Sequence, residues 1–430
     1  MRLPGRIAAA AEVLAEMETR HRPASEALKD WGLSHRFAGA GDRAAIGNLV
    51  HDGLRRRLSI AWRMGGDTPW HLAVGAAVFE SGLDPAALNA GFADDPHAPA
   101  SIPDATLMRL RTADLAEAPP HVQADLPEWI APYFEGAFGA DWIAEGKALS
   151  GRPPLDLRVN TLKADREKAA RQLAALGAVP TPYSPVGLRI PPIEGARRHP
   201  HVQAEEAFQR GRIEVQDEGS QLLALLVGAR PGEQVLDFCA GAGGKTLALA
   251  AGMQNRGQIF ATDVDKSRLA PIFDRLRRAG ARNVQVRPGG PGALGDLAGR
   301  MDRVLVDAPC TGVGVWRRRP DSKWRVTPEA LRRRTAEQEA VLAEAARFVR
   351  PGGVLVYATC SLLPPENGGR IAAFLAAHPE FRALPMTEVW KTALPDVSPP
   401  IGALQETSLL LSPRRSGTDG FFVAALRHAG

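Results

Sequence analysis

The first 115 residues show the hydrophobic spacing of amphipathic helices. Apolar residues recur three and four positions apart, and Gly and Pro interrupt the pattern. One helix is predicted near the N-terminus and another over residues 43–57, and the pattern predicts an all-helical domain. A stretch rich in Pro, Asp and Ala follows at residues 94–120, so the domain and its linker are placed at residues 1–120. The apolar stripes of these two helices are Val13, Leu14 and Met17 in the first and Ile46, Leu49, Val50 and Leu54 in the second.

The next segment alternates strand and helix patterns. The run PPLDLRVNTL predicts a strand, DREKAARQLAALG a helix that ends at Gly177, and GLRI a further strand. This order predicts a small α+β module over residues 121–206.

From residue 207 to residue 430 the pattern predicts a doubly wound α/β domain. Four short apolar runs, VLDF, QIFATD, RVLVDAP and GVLVYATC, each end in polar or small residues, and helical patterns lie between them. Such a sheet is mostly parallel and binds ligands at the carboxyl ends of its strands. We therefore expect the polar residues that follow these runs to lie near one another.

Composition excludes several classes of protein. A chain of 430 residues is too long for one small domain. Its composition, with 45% hydrophobic and 23% charged residues, is too apolar for a disordered chain. The chain has three cysteines and no C-x-x-C pair, so neither a disulfide framework nor a cysteine-built zinc site is expected. No run of about 18 apolar residues occurs. We expect a cytoplasmic, monomeric protein without a metal or a membrane span.

A glycine-rich turn follows the first apolar run of the α/β domain, in the sequence VLDFCAGAGGKT. A triphosphate-binding loop would need Gly where Cys239 stands, and a dinucleotide fingerprint would need Gly where Thr246 stands. A turn without a ligand also stays open. Asp263, at the end of the next run, is placed to bind the two hydroxyls of an adenosine ribose. S-adenosylmethionine is therefore the favoured cofactor.

Two cysteines follow two other strands of the predicted sheet. Cys310 stands three residues after Asp307, and Cys360 follows the run GVLVYAT. A single cysteine after a strand is most often a small core residue, but two of them beside a carboxylate favour chemistry. A thiolate can add to C6 of a cytosine and thereby make C5 nucleophilic, and Asp307 could supply a proton at N3.

A basic segment follows the Asp307 loop. From residue 310 to residue 350 the chain has ten Lys or Arg and five acidic residues, an excess of five that equals the net charge of the whole protein. An arginine run is often only a solvated helix face. Interleaved tryptophans favour contact with a phosphate backbone and stacked bases instead. The residues predicted to bind RNA are Arg317, Arg318, Arg319, Lys323, Trp324 and Arg325.

Together these motifs resemble the RsmB-like, Nop/Sun-type RNA cytosine-5 methyltransferases. The resemblance covers residues 207–430, and PLDLRVN extends it into the preceding module, for which an RRM-like fold is expected. More weakly, residues 41–55 are similar to the NusB-like RNA-binding domain of the bacterial enzymes. The motifs that carry the resemblance are QDEGSQ, DFCA with GGKT, DAPCTG, RPD with KW, TCS with PEN, and DGFF.

The resemblance implies roles that the residues alone left open. It implies that Cys360 is the nucleophile, that Cys310 assists release of the product and that Asp307 contacts the cofactor. The other implied cofactor contacts are Cys239, Ala240, Gly241, Ala242, Gly243, Gly244, Lys245 and Asp263.

Two departures from the family pattern stand out. The usual Ala-Pro of the loop is replaced by Gly241-Ala242. In addition, VQVRPGGP has Gly290 near the place where an acidic residue is expected to bind the adenine amine. The loss of one hydrogen bond would weaken cofactor binding by about 1 to 2 kcal/mol.

The leading hypothesis is an S-adenosylmethionine-dependent cytosine C5-methyltransferase that acts on 16S ribosomal RNA. One alternative keeps this chemistry and changes the substrate to tRNA. Another is a non-catalytic RNA-binding assembly factor that retains the fold, which is motivated by the missing acidic residue near Gly290.

Overall fold

The computed structural model describes residues 1–193, 195, 197–290 and 292–430, with the backbone alone at residues 80 and 81. The chain divides into two compact units. The first contains Met1–Pro153, Pro192–His199 and Trp316–Val326, and the second contains Pro154–Pro191, Pro200–Val315 and Thr327–Gly430. The three-domain division suggested by the sequence stays a prediction beside this two-unit division.

The helices begin within the first residues of the chain and recur throughout it. They are α1 Leu3–Arg20, α2 Ala24–Ser34, α3 Ala40–Arg55, α4 Arg57–Met64, α5 Pro69–Ser81, α6 Pro85–Ala93, α7 Asp104–Thr112, α8 Pro120–Gln123, α9 Ala131–Phe138, α10 Trp142–Leu149, α11 Arg166–Gln172, α12 Glu206–Gln209, α13 Glu218–Leu226, α14 Gly244–Gly252, α15 Lys266–Leu269, α16 Ile272–Ala279, α17 Pro320–Lys323, α18 Pro328–Ala346, α19 Gly368–Ala377, α20 Met386–Ala393 and α21 Pro413–Ser416.

The described strands all lie in the second unit. They are β1 Leu155–Val159, β2 Val179–Pro180, β3 Gly187–Ile190, β4 Ile213–Val215, β5 Gln234–Asp237, β6 Gln258–Asp263, β7 Val284–Pro288, β8 Met301–Asp307, β9 Val349–Thr359, β10 Phe381–Ala383, β11 Ser408–Leu411 and β12 Phe421–His428.

The first unit is helical in the part of the chain that the structure describes. α1, α3 and α5 pack against one another, and the apolar stripes predicted for α1 and α3 are buried in this core. Pro begins α5, where its missing N–H removes no helical hydrogen bond, and the Thr68 hydroxyl caps the helix. The NusB-like assignment stays a prediction.

A small antiparallel sheet in the second unit has the strand order β2-β3-β1-β4. The predicted strands PLDLRV and GLRI are β1 and β3, and α11 lies between them in the chain. β4 is also part of this sheet, although the predicted boundary at residue 206 placed its residues in the following domain. An RRM-like fold for this module stays a prediction.

The large sheet has the strand order β10-β12-β9-β8-β5-β6-β7, and β11 pairs with β12. β5 to β9 are parallel, and β12 is antiparallel to β9. The four apolar runs predicted as strands are β5, β6, β8 and β9. Helices cover a parallel sheet on both faces, which accounts for the continuous apolar runs in these strands.

Among the described residues, no helix is both long and apolar enough to cross a bilayer. In the same part of the chain, no three metal-ligating side chains come together in a group that could hold a metal ion.

Candidate active site

The carboxyl ends of the parallel strands bring the predicted polar residues together. β5, β6 and β8 end at Asp237, Asp263 and Asp307, and Cys360 directly follows β9. The register aligns these ends, since Asp237 lies opposite Leu305 of β8 and Asp307 lies opposite Ala358 of β9. Residues far apart in the chain therefore meet at one edge of the sheet, as the apolar runs predicted.

The two thiols at this edge are neighbours. Cys310 Sγ lies 3.3 Å from Cys360 Sγ, and both cysteines are free. The hydrogen bond with Cys360 raises the pKa of Cys310, and burial raises it further. Because its pKa is raised, Cys310 keeps its proton beside the second sulfur.

Glu366 holds the loops that carry both cysteines. Its buried carboxylate accepts hydrogen bonds from the Thr311 main-chain N–H at 2.8 Å, from the Thr311 hydroxyl and from the Ser361 hydroxyl. Thr311 follows Cys310 in the chain, and Ser361 follows Cys360. One carboxylate thus restrains the separation of the two thiols. The family motif contains Glu366, but the sequence analysis gave it no role of its own.

Two glycines bring the cysteine loops close to the C-terminal strand. The Gly314 N–H donates to the Cys360 carbonyl at 2.9 Å, and the Gly420 N–H donates to the Gly314 carbonyl at 2.8 Å. A Cβ atom on Gly314 would lie 2.1 Å from the Gly420 carbonyl oxygen. A Cβ atom on Gly420 would lie 2.6 Å from the Gly314 Cα, so this approach requires glycine at both positions, which explains the Gly of the DGFF motif beside the site.

The glycine-rich turn between β5 and α14 has the backbone geometry of a close ligand approach. Gly241 and Gly243 have φ of +50° and +81°, and a Cβ on Gly243 would lie 2.4 Å from Ile272 Cγ1. Asp263 anchors the turn, because its Oδ2 accepts from the Gly241 N–H at 2.9 Å. The cofactor residues predicted in this turn therefore lie together with Asp263.

Arg158 of β1 supports the same turn from the small sheet. Its guanidinium donates to the Gly244 carbonyl at 2.7 Å and to Gln216 Oε1. Burial lowers the pKa of Arg158 to about 10. The PLDLRVN motif of residues 154–160 belongs to the family pattern, yet only the fold shows that its Arg158 side chain reaches the cofactor turn.

Charged groups line the edge between the turn and the thiols. Lys245 Nζ lies 2.7 Å from Asp307 Oδ2. Burial by itself lowers the pKa of Lys245, but the charge and hydrogen bond of Asp307 outweigh it and raise the pKa. Burial raises the pKa of the Cys239 thiol, so this third cysteine stays protonated.

Asp237 has one carboxylate oxygen at this edge that no described residue satisfies. Its Oδ2 accepts from the Thr246 hydroxyl at 2.7 Å, while Oδ1 is buried without a hydrogen-bond partner among the described residues. Burial raises its pKa to about 7, and the nearby charge of Asp307 adds to this effect. A buried carboxylate oxygen without a partner fits a ligand that carries positive charge, which S-adenosylmethionine does.

The strand next to this turn lacks the expected acidic residue. β7 leads into Gly289 and Gly290, and a Cβ on Gly289 would lie 2.5 Å from the Asp263 carbonyl oxygen. The next acidic residue, Asp296, forms an ion pair with Arg287. Pro291, the last residue of the segment considered, lies outside the described residues.

Residues 316–326 of the basic segment after β8 belong to the first unit. Lys323 is 1% exposed, and its ammonium donates to the carbonyls of Arg55 and Asp125 at 2.7 and 2.8 Å. Burial lowers its pKa to about 8. Trp324 donates its indole N–H to the Leu54 carbonyl at 2.7 Å. The structure therefore corrects the prediction for Lys323, which stabilises the helical unit and has no free face for a phosphate.

The other residues of this segment differ in exposure. Arg317 is buried, Arg318 is half-buried, and Arg319 and Arg325 are exposed. Arg325 is paired with Asp321 at 2.6 Å. A contact with RNA stays a prediction for the exposed arginines.

Two family models and several named relatives match this chain. A family model described as 16S rRNA methyltransferase RsmB/F matches residues 224–427, and a model for an RsmF/B-like ferredoxin-like domain matches residues 126–192. A protein of Synechocystis named probable ribosomal RNA small subunit methyltransferase B is 34% identical over 71% of this chain and 68% of its own length. A Bacillus subtilis protein of the same name is 34% identical over 71% of this chain and 66% of its own length.

A likeness to a solved structure extends over nearly the whole chain. The crystal structure of the protein PH0851 matches with a TM-score of 0.72 and 26% identity over 98% of each chain. This likeness confirms the predicted α/β methyltransferase fold. The sequence matches to the two named relatives span about two thirds of the length of each relative.

Proposed function

The chain belongs to the RsmB/F family of 16S rRNA methyltransferases, and from this premise we propose that it methylates C5 of a cytosine in 16S rRNA through a covalent cysteine adduct. Family membership confirms the resemblance found in the sequence and S-adenosylmethionine as the cofactor. The observation that carries the proposal is the 3.3 Å separation of the Cys310 and Cys360 sulfurs at the carboxyl edge of the sheet.

Cys360 begins the proposed reaction as the nucleophile. Its thiolate forms a bond to C6 of the cytosine, and N3 takes up a proton, so that C5 gains the electron density of an enamine. Lys245 and Asp307 form the proton source, because their ion pair retains an exchangeable proton on the ammonium. The low exposure of Lys245 keeps this proton away from bulk water.

The cofactor residues of the turn between β5 and α14 hold S-adenosylmethionine, which supplies an electrophilic methyl group when bound. Asp263 is assigned to the ribose hydroxyls and Asp237 to the positive charge. After methylation, a base removes the C5 proton, the C6–S bond breaks, and its electron pair returns to Cys360 as thiolate. N3 then returns its proton to the Lys245–Asp307 pair. Cys310, which keeps its proton beside that thiolate, stabilises the leaving sulfur by hydrogen bonding.

Binding of S-adenosylmethionine weakens as the pH falls below about 7. The pKa of Asp237 is raised to about 7, so at lower pH its proton must be lost before the carboxylate can attract a cation. The dissociation constant is expected to rise toward about tenfold per pH unit below that pKa. Calorimetric titration between pH 5.5 and 8.5 measures this slope.

Asp237→Asn is the control for the pH effect. The amide has the size of the carboxylate but does not titrate. The affinity of this variant for S-adenosylmethionine should therefore be lower than that of the wild type at pH 8 and nearly independent of pH. In the cofactor-free protein, the proton of Asp237 stabilises the folded state below about pH 4, and this contribution is lost as the pH rises through about 7. A wild-type slope that persists in Asp237→Asn would exclude Asp237 as its source.

Glu366→Gln lowers kcat by about 100-fold and leaves the affinity for S-adenosylmethionine unchanged. The amide oxygen of Gln can replace only one of the two carboxylate oxygens, so the NH2 group must face either the Thr311 main-chain N–H or the two hydroxyls. The resulting small displacement of the cysteine loops has an effect of this size. Single-turnover methyl transfer and calorimetry measure the two quantities separately. Glu339→Gln on the exposed face of α18 is the matched control. An equal loss in both variants, or a parallel loss of cofactor affinity, would contradict this positioning role.

Bisulfite sequencing of total RNA from cells with and without the gene tests the proposed function. The expected result is the loss of one 5-methylcytosine from 16S rRNA, restored by the wild-type gene and not by the Cys360→Ala variant. Loss of a 5-methylcytosine from tRNA instead would support the same chemistry with tRNA as the substrate. No change at any position, together with no measurable binding of S-adenosylmethionine, would favour the non-catalytic assembly factor.

A further inference from the structure

A cavity of about 400 Å³ lies against the large sheet at the end opposite to the cysteines. Arg303 of β8 and Val354 of β9 line it, and both lie several residues before the carboxyl ends of their strands. Arg230, after α13, and residues of α20 form its other walls. The chemistry proposed above does not use this cavity.

The strand register places arginines in one row across the cavity floor. Arg382 of β10 lies opposite Arg427 of β12, Arg427 lies opposite Val354 of β9, and Val354 lies opposite Arg303 of β8. Residues paired in this way project from the same face of a sheet, with Cβ atoms of directly opposed residues about 5 Å apart. Three guanidinium groups therefore share one face within four strands.

Only part of this charge is balanced. Arg303 forms two hydrogen bonds with the carboxylate of Glu233, at 2.8 and 3.2 Å. Among the described residues, no carboxylate lies within 4.0 Å of the Arg230, Arg382 or Arg427 guanidinium. Glu388 is the one acidic residue in the described lining, so the cavity has an excess of positive charge.

The direct opposition of Arg382 and Arg427 is unfavourable for folding. Like charges that face each other across an antiparallel pair destabilise it, whereas an aromatic, β-branched or oppositely charged pair would stabilise it. A bound anion would remove the repulsion, because a guanidinium donates two parallel hydrogen bonds to phosphate oxygens.

The remaining walls of the cavity are apolar apart from Glu388 and Thr392. They are formed by the side chains of Leu226, Leu384, Val389 and Ala393. A cavity that combines cations on one side with aliphatic side chains on the other suits a ligand with a phosphate and a less polar part, and its volume lies in the range of small-molecule sites.

We propose that this cavity, the arginine pocket, binds one nucleotide unit, with its phosphate on Arg382 and Arg427 and its sugar or base against the apolar wall. The phosphate belongs either to an RNA strand held outside the catalytic edge or to a free nucleotide. Only the choice of RNA as the source of the phosphate rests on the proposed function.

The first test measures thermal unfolding of the full chain at low ionic strength. Arg382→Gln/Arg427→Gln, and Arg427→Gln alone, should raise Tm by about 1 to 4 °C in the absence of ligand, because they remove the repulsion. Inorganic phosphate and cytidine monophosphate should raise the Tm of the wild type and leave that of the double variant unchanged. Arg256→Gln/Arg300→Gln is the matched control, since both of these exposed arginines bond only to uncharged oxygens.

The second test measures binding of a fluorescein-labelled single-stranded RNA over a range of salt concentrations. Two lost phosphate contacts should reduce the slope of log K against log salt by about 1.4, and affinity at low salt should fall about tenfold. The control variant should show a clearly smaller change in both quantities. Catalytic turnover is not needed for either readout, so failure of the proposed methylation would not be mistaken for failure of this site.

The outcomes separate the two sources of phosphate. Lost RNA affinity supports the arginine pocket with RNA as its ligand, and lost stabilisation by cytidine monophosphate at unchanged RNA affinity supports it with a free nucleotide as its ligand. The proposal is overturned if the double variant matches the control in RNA affinity, salt slope and response to both phosphate compounds.

Discussion

Replacing Cys360 by Ala abolishes methyl transfer, with a loss of about 1,000-fold or more, and leaves the affinity for S-adenosylmethionine within about twofold of wild type. Without a thiolate to add to C6, C5 of the cytosine lacks the electron density to attack a methyl group. Transfer of tritium from labelled S-adenosylmethionine to 16S rRNA measures the rate, and calorimetry measures the affinity. The two readouts diverge because Cys360 follows β9 and is not one of the residues assigned to the cofactor.

The third cysteine provides a control for this variant. Cys239 lies in the cofactor turn, and burial keeps its thiol protonated. Cys239→Ala should therefore alter cofactor affinity and still permit the covalent RNA adduct to form. Wild-type turnover by Cys360→Ala would reject Cys360 as the nucleophile.

Replacing Cys310 by Ala leaves a long-lived covalent adduct between the protein and its RNA. The adduct forms because Cys360 is intact, but the departing sulfur has lost the S–H group that lies 3.3 Å away and stabilises it. Labelled RNA incubated with the variant and S-adenosylmethionine should migrate with the protein on a denaturing gel, while the wild type shows little of this species at steady state.

The Cys310→Ala/Cys360→Ala double variant is the matched control and should give no adduct. An adduct in Cys360→Ala together with none in Cys310→Ala would show that the two cysteines have exchanged roles. Rapid turnover by Cys310→Ala without an accumulated adduct would remove Cys310 from product release.

The positions of the reactive residues follow from local patterns. The apolar runs VLDF, QIFATD, RVLVDAP and GVLVYATC are continuous because a strand covered on both faces has to be apolar throughout. The strands of a parallel sheet all point the same way, so residues that directly follow such runs meet at one edge. Asp263, Asp307, Cys310 and Cys360 could therefore be placed together before any contact was known.

Supporting residues could not be found in this way. Glu366 and Arg158 act on main-chain and hydroxyl groups far from them in the chain, at Thr311 and at Gly244. No local spacing records these contacts, because hydrogen bonds between loops depend on how the chain folds as a whole. Lys323 is the opposite case, since a basic run suggests a solvated or phosphate-binding surface and packing encloses its ammonium instead.

The sequence by itself determined the alternation of strands and helices in the α/β domain, the glycine-rich turn, and the two cysteines that follow strands of one sheet. These are properties of short segments, whose hydrophobic period and turn residues act locally. The tertiary structure alone decided the distance of 3.3 Å between the two sulfurs and the position of the Glu366 carboxylate between the cysteine loops. It also decided that β4 belongs to the small sheet and that arginines form a row across β8 to β12. Each of these depends on register or on packing between segments distant in the chain, and only folding brings those segments together.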